Sequence, residues 1–151
     1  MVKALRFDGA EAARAHPAFL AALASPRLRA IVICPSNPFI SVEPILALPG
    51  VREAFAARTA PCVAVSPIIG GKAVKGPTAK MMAELGLPAG AASVAKRYGA
   101  LLDGYVLDTQ DAAEADGLAA RCVLAPTLMT SLEDKVALAQ VSLELADALR
   151  A

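Results

Sequence analysis

The segment 66–77 contains the residues of this chain that are best suited to binding an anion. Its glycines permit positive φ angles, and backbone N–H groups of such a turn can point at a phosphate. Two lysines and a serine lie in the same segment, so the candidate residues are Ser66, Gly70, Gly71, Lys72, Lys75 and Gly76. The alternative is an ordinary glycine turn with two solvated lysines. The segment is not a Walker A loop, because no Gly-Lys-Ser/Thr occurs at the required spacing.

A second candidate segment is stiffened by prolines. Ser36 and Asn37 stand between Pro35 and Pro38, whose rings restrict the backbone and remove two N–H donors. A hydroxyl and an amide side chain suit contacts with a ribose, a base or a phosphate. The alternative is an Asx-type turn, in which these side chains bond their own backbone. Ser41, which can cap the short helix that follows, is a further candidate.

The remaining polar residues offer little catalytic chemistry. Asp108 ends an apolar run, where it could bind a hydroxyl or magnesium or cap the next helix, and we favour the cap. His16 is the only histidine and precedes Pro17, so we expect it to cap a helix. A zinc site, a Ser-His-Asp triad and a Cys-His dyad are therefore disfavoured. We expect buried, reduced thiols at Cys34, Cys62 and Cys122.

Short apolar runs predict the strands that position these segments. Runs that are apolar on both faces are typical of strands covered by helices on each side. A weaker alternation over residues 3–7 predicts an edge strand. The four main predicted strands are 29–34, 62–65, 105–108 and 122–125.

Helical segments lie between the predicted strands. Pro77 suits the start of a helix over 78–85, which Gly86 ends. Ser131 and Asp134 match a capping box at the start of the last helix. Further helices are predicted over 17–24, 41–46, 51–58, 94–102 and 111–120, the last on the surface. Strands alternating with helices favour a parallel sheet, and we expect one compact unit over 1–151.

Composition argues against several classes of protein. The 151 residues include 15 Lys and Arg against 14 Asp and Glu, whereas nucleic-acid binders usually carry a basic excess. The aromatic content of 4% provides no stacking platform for single-stranded nucleic acid. No run reaches the ~18 apolar residues that a membrane span requires. We therefore expect a soluble, cytoplasmic protein that binds neither nucleic acid nor membranes.

The predicted strand order also locates a ligand. Open parallel sheets bind ligands outside the carboxyl ends of their strands. The segments 35–38 and 66–72 leave such ends, as do the residues after Asp108 and the pair Pro126-Thr127. We expect the binding site at this edge.

Both candidate segments resemble those of a known family. Residues 34–50, CPSNPFISVEPILALPG, resemble the PSNP-x-x-S segment of the 2-phospho-L-lactate transferases. Residues 65–77, VSPIIGGKAVKGP, resemble their SPI-x-GG-x-A-x-KGP segment. Residues 98–99, 102–104 and 127–129 also fit, and the resemblance runs from about residue 3 to the end.

The resemblance implies a role in the biosynthesis of coenzyme F-420. In that family a hydroxyl of Fo, a riboflavin-like precursor, attacks a phosphorus of a guanosine-diphospho donor, GMP leaves, and magnesium assists. The implied fold is an α/β, Rossmann-like three-layer sandwich with a mostly parallel sheet, in a homodimer. The implied residues for binding donor or Fo are Ser36, Asn37, Pro38 and Ser41. Those for holding and neutralising phosphate are Ser66, Gly70, Gly71, Gly76, Lys72 and Lys75.

The chain departs from the family in its length. It corresponds to the carboxyl-terminal half, so the amino-terminal strand, the glycine-rich loop and the acidic residues expected to bind magnesium have no counterpart. We therefore expect no metal ligand here, and another chain as one source of the missing half. Glu43 replaces a smaller residue, either at the substrate edge or facing solvent.

Two other functions remain open at this point. One is a regulator of the same fold that binds a nucleotide or nucleotide sugar, and the other is an inactive fragment. Nothing in the sequence identifies the three-carbon acid, which could derive from phospholactate, phosphoenolpyruvate or phosphoglycerate.

Overall fold

A parallel sheet forms the centre of the computed structural model, which describes residues 1–74 and 76–150. The strands are β1 (Ile31–Ile33), β2 (Cys62–Val65), β3 (Ile68–Ile69), β4 (Lys72–Ala73), β5 (Gly104–Asp108) and β6 (Arg121–Ala125). The sheet has the order β1-β2-β5-β6, and every neighbouring pair in it is parallel. Strands β3 and β4 form a separate antiparallel hairpin. The predicted parallel α/β architecture is confirmed.

Of the six α-helices among the described residues, the first and the last begin at capping residues that the sequence predicts. The six helices are α1 (Pro17–Leu23), α2 (Glu43–Leu46), α3 (Val51–Ala56), α4 (Thr78–Glu84), α5 (Ala91–Tyr98) and α6 (Leu132–Ala148). The ring of His16 accepts a hydrogen bond from the N–H of Ala18, as predicted. Ser131 and Asp134 form the predicted capping box of α6. Among the described residues, no helix has the length and apolar character needed to cross a membrane.

The sheet separates two apolar clusters. On one face, helices α1 to α5 cover β2 and β5 and bury large side chains such as Phe39, Met82 and Tyr105. On the other face, α6 packs Leu138 and Leu145 against the two strands. Strands β2 and β5 are fully buried, which explains their uninterrupted apolar runs.

The predicted edge strand over residues 3–7 is wrong. This segment makes no strand pairing; instead the N–H of Val2 donates to the Glu84 carboxylate and Leu5 packs on the larger cluster. The segment therefore lies against the helical layer, where the contact with α4 replaces a sheet ladder.

Two further local predictions are corrected. Ser41 does not cap a helix: it lies exposed inside a π-helical turn, Pro38–Val42, that Asn37 caps. The predicted surface helix 111–120 is a 3-10 helix, Thr109–Ala115, because Asp111 is turned inward and only 5% exposed. Cys34 is exposed rather than buried.

Candidate functional site

A cleft of about 200 Å³ lies at the carboxyl end of the sheet. Its walls come from the loops after β1, β2 and β6, which meet because the carboxyl ends of parallel strands share one edge. Six of its nine lining residues are apolar, and the other three carry one amide and two hydroxyl groups. These residues are Pro35, Asn37, Ser66, Pro67, Ile69, Val74, Thr127, Leu128 and Met129. The structure thus joins the two candidate segments with a third loop.

Asn37 both lines the cleft and caps the turn beside it. Its Oδ1 accepts hydrogen bonds from the N–H groups of Phe39 at 2.9 Å and Ile40 at 3.3 Å. Its Nδ2 lies 3.6 Å from the sulfur of Met81. The Asx-turn interpretation is therefore realised, and a ligand contact would use the part of the amide that faces the cleft.

The other predicted residues of the first segment are placed differently. Pro38 is buried at the first position of the π-helical turn, so it orients the backbone rather than facing the cleft. Ser36 is half-buried between two lining residues, and Ser41 is exposed.

Glu43 lies within a set of charged contacts next to this turn. Its carboxylate pairs with Arg52 and lies 3.5 Å from Arg97. The guanidinium of Arg97 stacks 4.5 Å from the centre of the Phe39 ring. Glu43 is therefore held in ion pairs beside the turn with 17% of its side chain exposed, rather than facing solvent, and its substrate-edge position stays a prediction.

The glycine segment folds into a hairpin whose tip binds an internal carboxylate. Gly70 and Gly71 have φ angles of 56° and 70°, the combination that a two-residue type I′ turn requires. The N–H of Gly70 lies 3.0 Å from Asp111 Oδ2, and that of Gly71 lies 2.8 Å from Oδ1. A phosphate at these amides would have to displace Asp111.

Ser66 stabilises the base of the same hairpin. The residue is 1% exposed, and its Oγ accepts a hydrogen bond from the N–H of Ile68 at 3.1 Å. Its contribution to the cleft wall is therefore mainly its backbone and shape.

Lys72 is exposed and begins strand β4 of the hairpin. It pairs with Ile69 across the hairpin, and residues paired in this way project to the same face. Ile69 lines the cleft, whereas Lys72 is not among the lining residues. Gly76 is exposed with a φ of 72°. Lys75 lies outside the described residues.

Asp108 is the predicted helix cap, and it also bonds Thr127, a residue of the third wall of the cleft. It is 3% exposed, and its Oδ1 accepts a hydrogen bond from the N–H of Gln110 at 3.0 Å. Its Oδ2 accepts two more from Thr127. Burial alone would raise the pKa of this carboxyl, but the hydrogen bonds from Thr127 and Gln110 outweigh it, and the pKa lies below its ordinary value.

Sequence reasoning missed the part played by Asp111. The available signal was the spacing Asp108-x-x-Asp111 directly after a buried strand. A second carboxylate stands there three residues beyond the predicted capping residue.

The described residues do not fit the magnesium ion that the resemblance implies. Within 1–74 and 76–150, no group of three His, Cys, Asp or Glu side chains could hold a metal ion. Asp108 and Asp111 instead accept hydrogen bonds from backbone and hydroxyl groups.

Comparison with known proteins gives one family and a consistent set of relatives. The family model described as 2-phospho-L-lactate transferase CofD matches residues 1–126. The chain is 43% identical over 147 residues to a phosphoenolpyruvate transferase of Streptomyces griseus, covering 95% of this chain and 46% of the relative. It is 45% identical over 148 residues to one of Kitasatospora aureofaciens, covering 94% and 45%. It is 38% identical over 145 residues to one of Mycobacterium leprae, covering 93% of this chain and 42% of the relative. The chain thus spans about half the length of these relatives.

Proposed function

Because the chain belongs to the 2-phospho-L-lactate transferase CofD family, we propose that it transfers a phosphorylated three-carbon acid to Fo in coenzyme F-420 biosynthesis. The donor is a guanosine-diphospho compound and the second product is GMP. The relatives' name favours phosphoenolpyruvate as the transferred acid, and the family's description favours 2-phospho-L-lactate.

The reaction replaces a phosphoanhydride bond of the donor with a phosphoester bond to Fo. A hydroxyl oxygen of Fo forms a bond to the phosphorus that carries the three-carbon acid. The bond from that phosphorus to the GMP oxygen breaks, GMP keeps the electron pair, and the hydroxyl proton passes to solvent. Such a transfer depends on positioning and on neutralising charge, so it requires no nucleophilic side chain from the protein.

The observation that carries the proposal is the shared cleft between the two family segments. Its apolar wall, from Pro35, Pro67, Ile69 and Leu128, suits the flat ring system of Fo. A few polar groups, such as the amide of Asn37, suit its edge, as in most sites for small molecules. We therefore assign Fo to this cleft.

In the proposed reaction, the donor phosphates bind at the solvent-exposed side of the hairpin. Lys72 is an exposed cation that pairs across the hairpin with Ile69, a residue of the cleft wall. A lysine there would offset the negative charge that develops on the transferred group. Lys75 is a second candidate by position in the sequence. Magnesium remains part of the proposal as a requirement of the reaction, without a ligand assigned in this chain.

The direct test measures GMP release. The chain is incubated with Fo, magnesium and a guanosine-diphospho donor carrying either phosphoenolpyruvate or phospholactate, and GMP is quantified by chromatography. Omitting magnesium tests the metal requirement. We expect GMP to form in proportion to the modified Fo, at different rates for the two donors.

Binding provides a second readout that does not require turnover. Calorimetry with Fo, GDP and UDP-sugars distinguishes a transferase from a regulator of the same fold. Tighter binding of UDP-sugars than of GDP would contradict the proposal in favour of the regulator. If the chain releases no GMP and binds neither Fo nor GDP, the result would favour an inactive fragment.

A further inference from the structure

Three carboxylates are spaced three residues apart along one short segment. They are Asp108, Asp111 and Glu114, within and just before the 3-10 segment Thr109–Ala115. The segment is kinked at Asp111, whose φ of -106° and ψ of 20° are not helical, so the three side chains reach different neighbours. Each accepts hydrogen bonds from the backbone of a different element, at Thr127, at Gly70 and Gly71, and at Ala92. The segment therefore connects the β6 loop, the hairpin and α5.

Asp111 and its neighbour Gln110 both lie close to the tip of the hairpin. Both carboxylate oxygens are used, one for each glycine N–H, at 3.0 and 2.8 Å. A Cβ atom added at Gly70 would lie 3.1 Å from Oε1 of Gln110, so the tip rests directly on residues 110–111. Hydrogen bonds to a charged acceptor are stronger than those between neutral groups. The hairpin tip is thus attached to the 3-10 helix rather than free to bind.

We propose that Asp111 is a positioning residue of the cleft. Its carboxylate occupies the two amides of the glycine turn in place of a ligand phosphate, and so holds Ile69 in the cleft wall. Ligand phosphates bind elsewhere. The identity of the ligand in the cleft rests on the function proposed above. The contact between Asp111 and the turn is independent of that function.

The test compares two carboxylate-to-amide variants within the same helix. Asp111→Asn leaves one glycine N–H without an acceptor, while Glu114→Gln weakens an equivalent bond to Ala92, which does not line the cleft. Hydrogen exchange of the Gly70 and Gly71 amides is followed by NMR in both variants and the wild type. We expect exchange to be about tenfold faster in Asp111→Asn, as for loss of a bond to a charged group, and unchanged in Glu114→Gln.

Kinetics give the functional readout. In Asp111→Asn the KM for Fo should rise about tenfold while kcat changes less, because a cleft wall has lost its support. If Asp111 only stabilised the fold, Asp111→Asn would lower the folded fraction, which reduces kcat and leaves the KM for Fo unchanged. If wild type and variants all fail to release GMP, the proposed function fails, and the exchange data still decide the role of Asp111.

Titration of the wild type with inorganic phosphate and with GDP tests the opposite outcome without any variant. Phosphate at Lys72 would shift the neighbouring Gly71 signal by proximity, so the readout is the hydrogen bonds themselves: we expect the NMR couplings from the Gly70 and Gly71 amides to the Asp111 carboxylate to persist with both ligands. Saturable loss of these couplings, or tighter phosphate binding by Asp111→Asn, would show that the turn takes a phosphate and would overturn the inference. This experiment decides the question even if Asp111→Asn does not fold.

Discussion

The Oδ2 atom of Asp108 accepts hydrogen bonds from both the backbone N–H of Thr127, at 2.9 Å, and its hydroxyl, at 3.1 Å. Asp108 ends β5, one of the two central strands, and Thr127 is the second residue after the neighbouring strand β6. Both residues are buried. The pair therefore fixes one wall of the cleft to the middle of the sheet.

Removing this carboxylate should destabilise the fold. Asp108→Ala leaves the buried N–H of Thr127 and that of Gln110 without their acceptor, and an unmet buried donor costs ~1–3 kcal/mol. Thr127→Val keeps the N–H bond and should cost about 1 kcal/mol. Urea denaturation measures both, with Asp116→Ala, an exposed aspartate, as control. Equal midpoints for Asp108→Ala and the control would contradict this assignment.

Lys72 should affect donor use and leave folding unchanged. Lys72→Ala is expected to weaken donor use by ~1.5–3 kcal/mol, the scale of a charge-assisted hydrogen bond to phosphate. Lys96→Ala, an exposed lysine in α5, provides the matched control. The kcat/KM for the donor is measured for each variant. An unchanged value in Lys72→Ala would leave this residue as a solvated surface lysine.

Two variants of Asn37 should distinguish a structural role of this residue from a role in ligand binding. Asn37→Ala removes the cap on Phe39 and Ile40 and should cost about 1 kcal/mol of stability. Asn37→Asp retains an oxygen acceptor, so it should melt close to the wild type. If the amide also contacts Fo, both variants lose Fo affinity in calorimetry. Normal affinity in Asn37→Asp would make the residue a cap alone.

Stability should fall in acid partly through the start of α6. Asp134 accepts hydrogen bonds from the backbone of Thr130 and Ser131 and from the Thr130 hydroxyl, which lower its pKa to about 2. A lowered carboxyl pKa contributes stability above about pH 4, and this contribution is lost as the pH falls towards 2. Asp134→Asn should therefore show a shallower loss of urea midpoint between pH 5 and pH 2.5. Parallel curves for variant and wild type would count against the capping box.

The thiols should react in the order of their exposure. Burial raises the pKa of Cys62 to about 12, with Arg58 lowering and Asp103 raising it by smaller amounts. Cys34 is exposed at the end of β1. Iodoacetamide at pH 8 should label Cys34 in the folded protein and Cys62 only after unfolding, as read by peptide mass spectrometry. Early labelling of Cys62 would contradict the burial of β2.

The sheet and its ligand-binding edge followed from local patterns. Strands β2 and β5 were predicted to within a residue, because a strand buried on both faces needs an uninterrupted apolar run. Caps such as His16 and Ser131 were also readable, since a cap bonds within its own turn. The segment 3–7 was misread because its alternation is satisfied by packing on the helical layer instead of pairing.

By itself, the sequence determined the parallel α/β fold, the edge where the two family segments meet and the family to which they belong. Only the tertiary structure decided what those segments touch. The glycine turn has the positive φ angles that its sequence predicts, yet its amides face Asp111, some 40 residues away in the chain. Backbone conformation is set locally, so sequence patterns predict it, whereas the partner of a hydrogen bond depends on which distant segments the fold brings together.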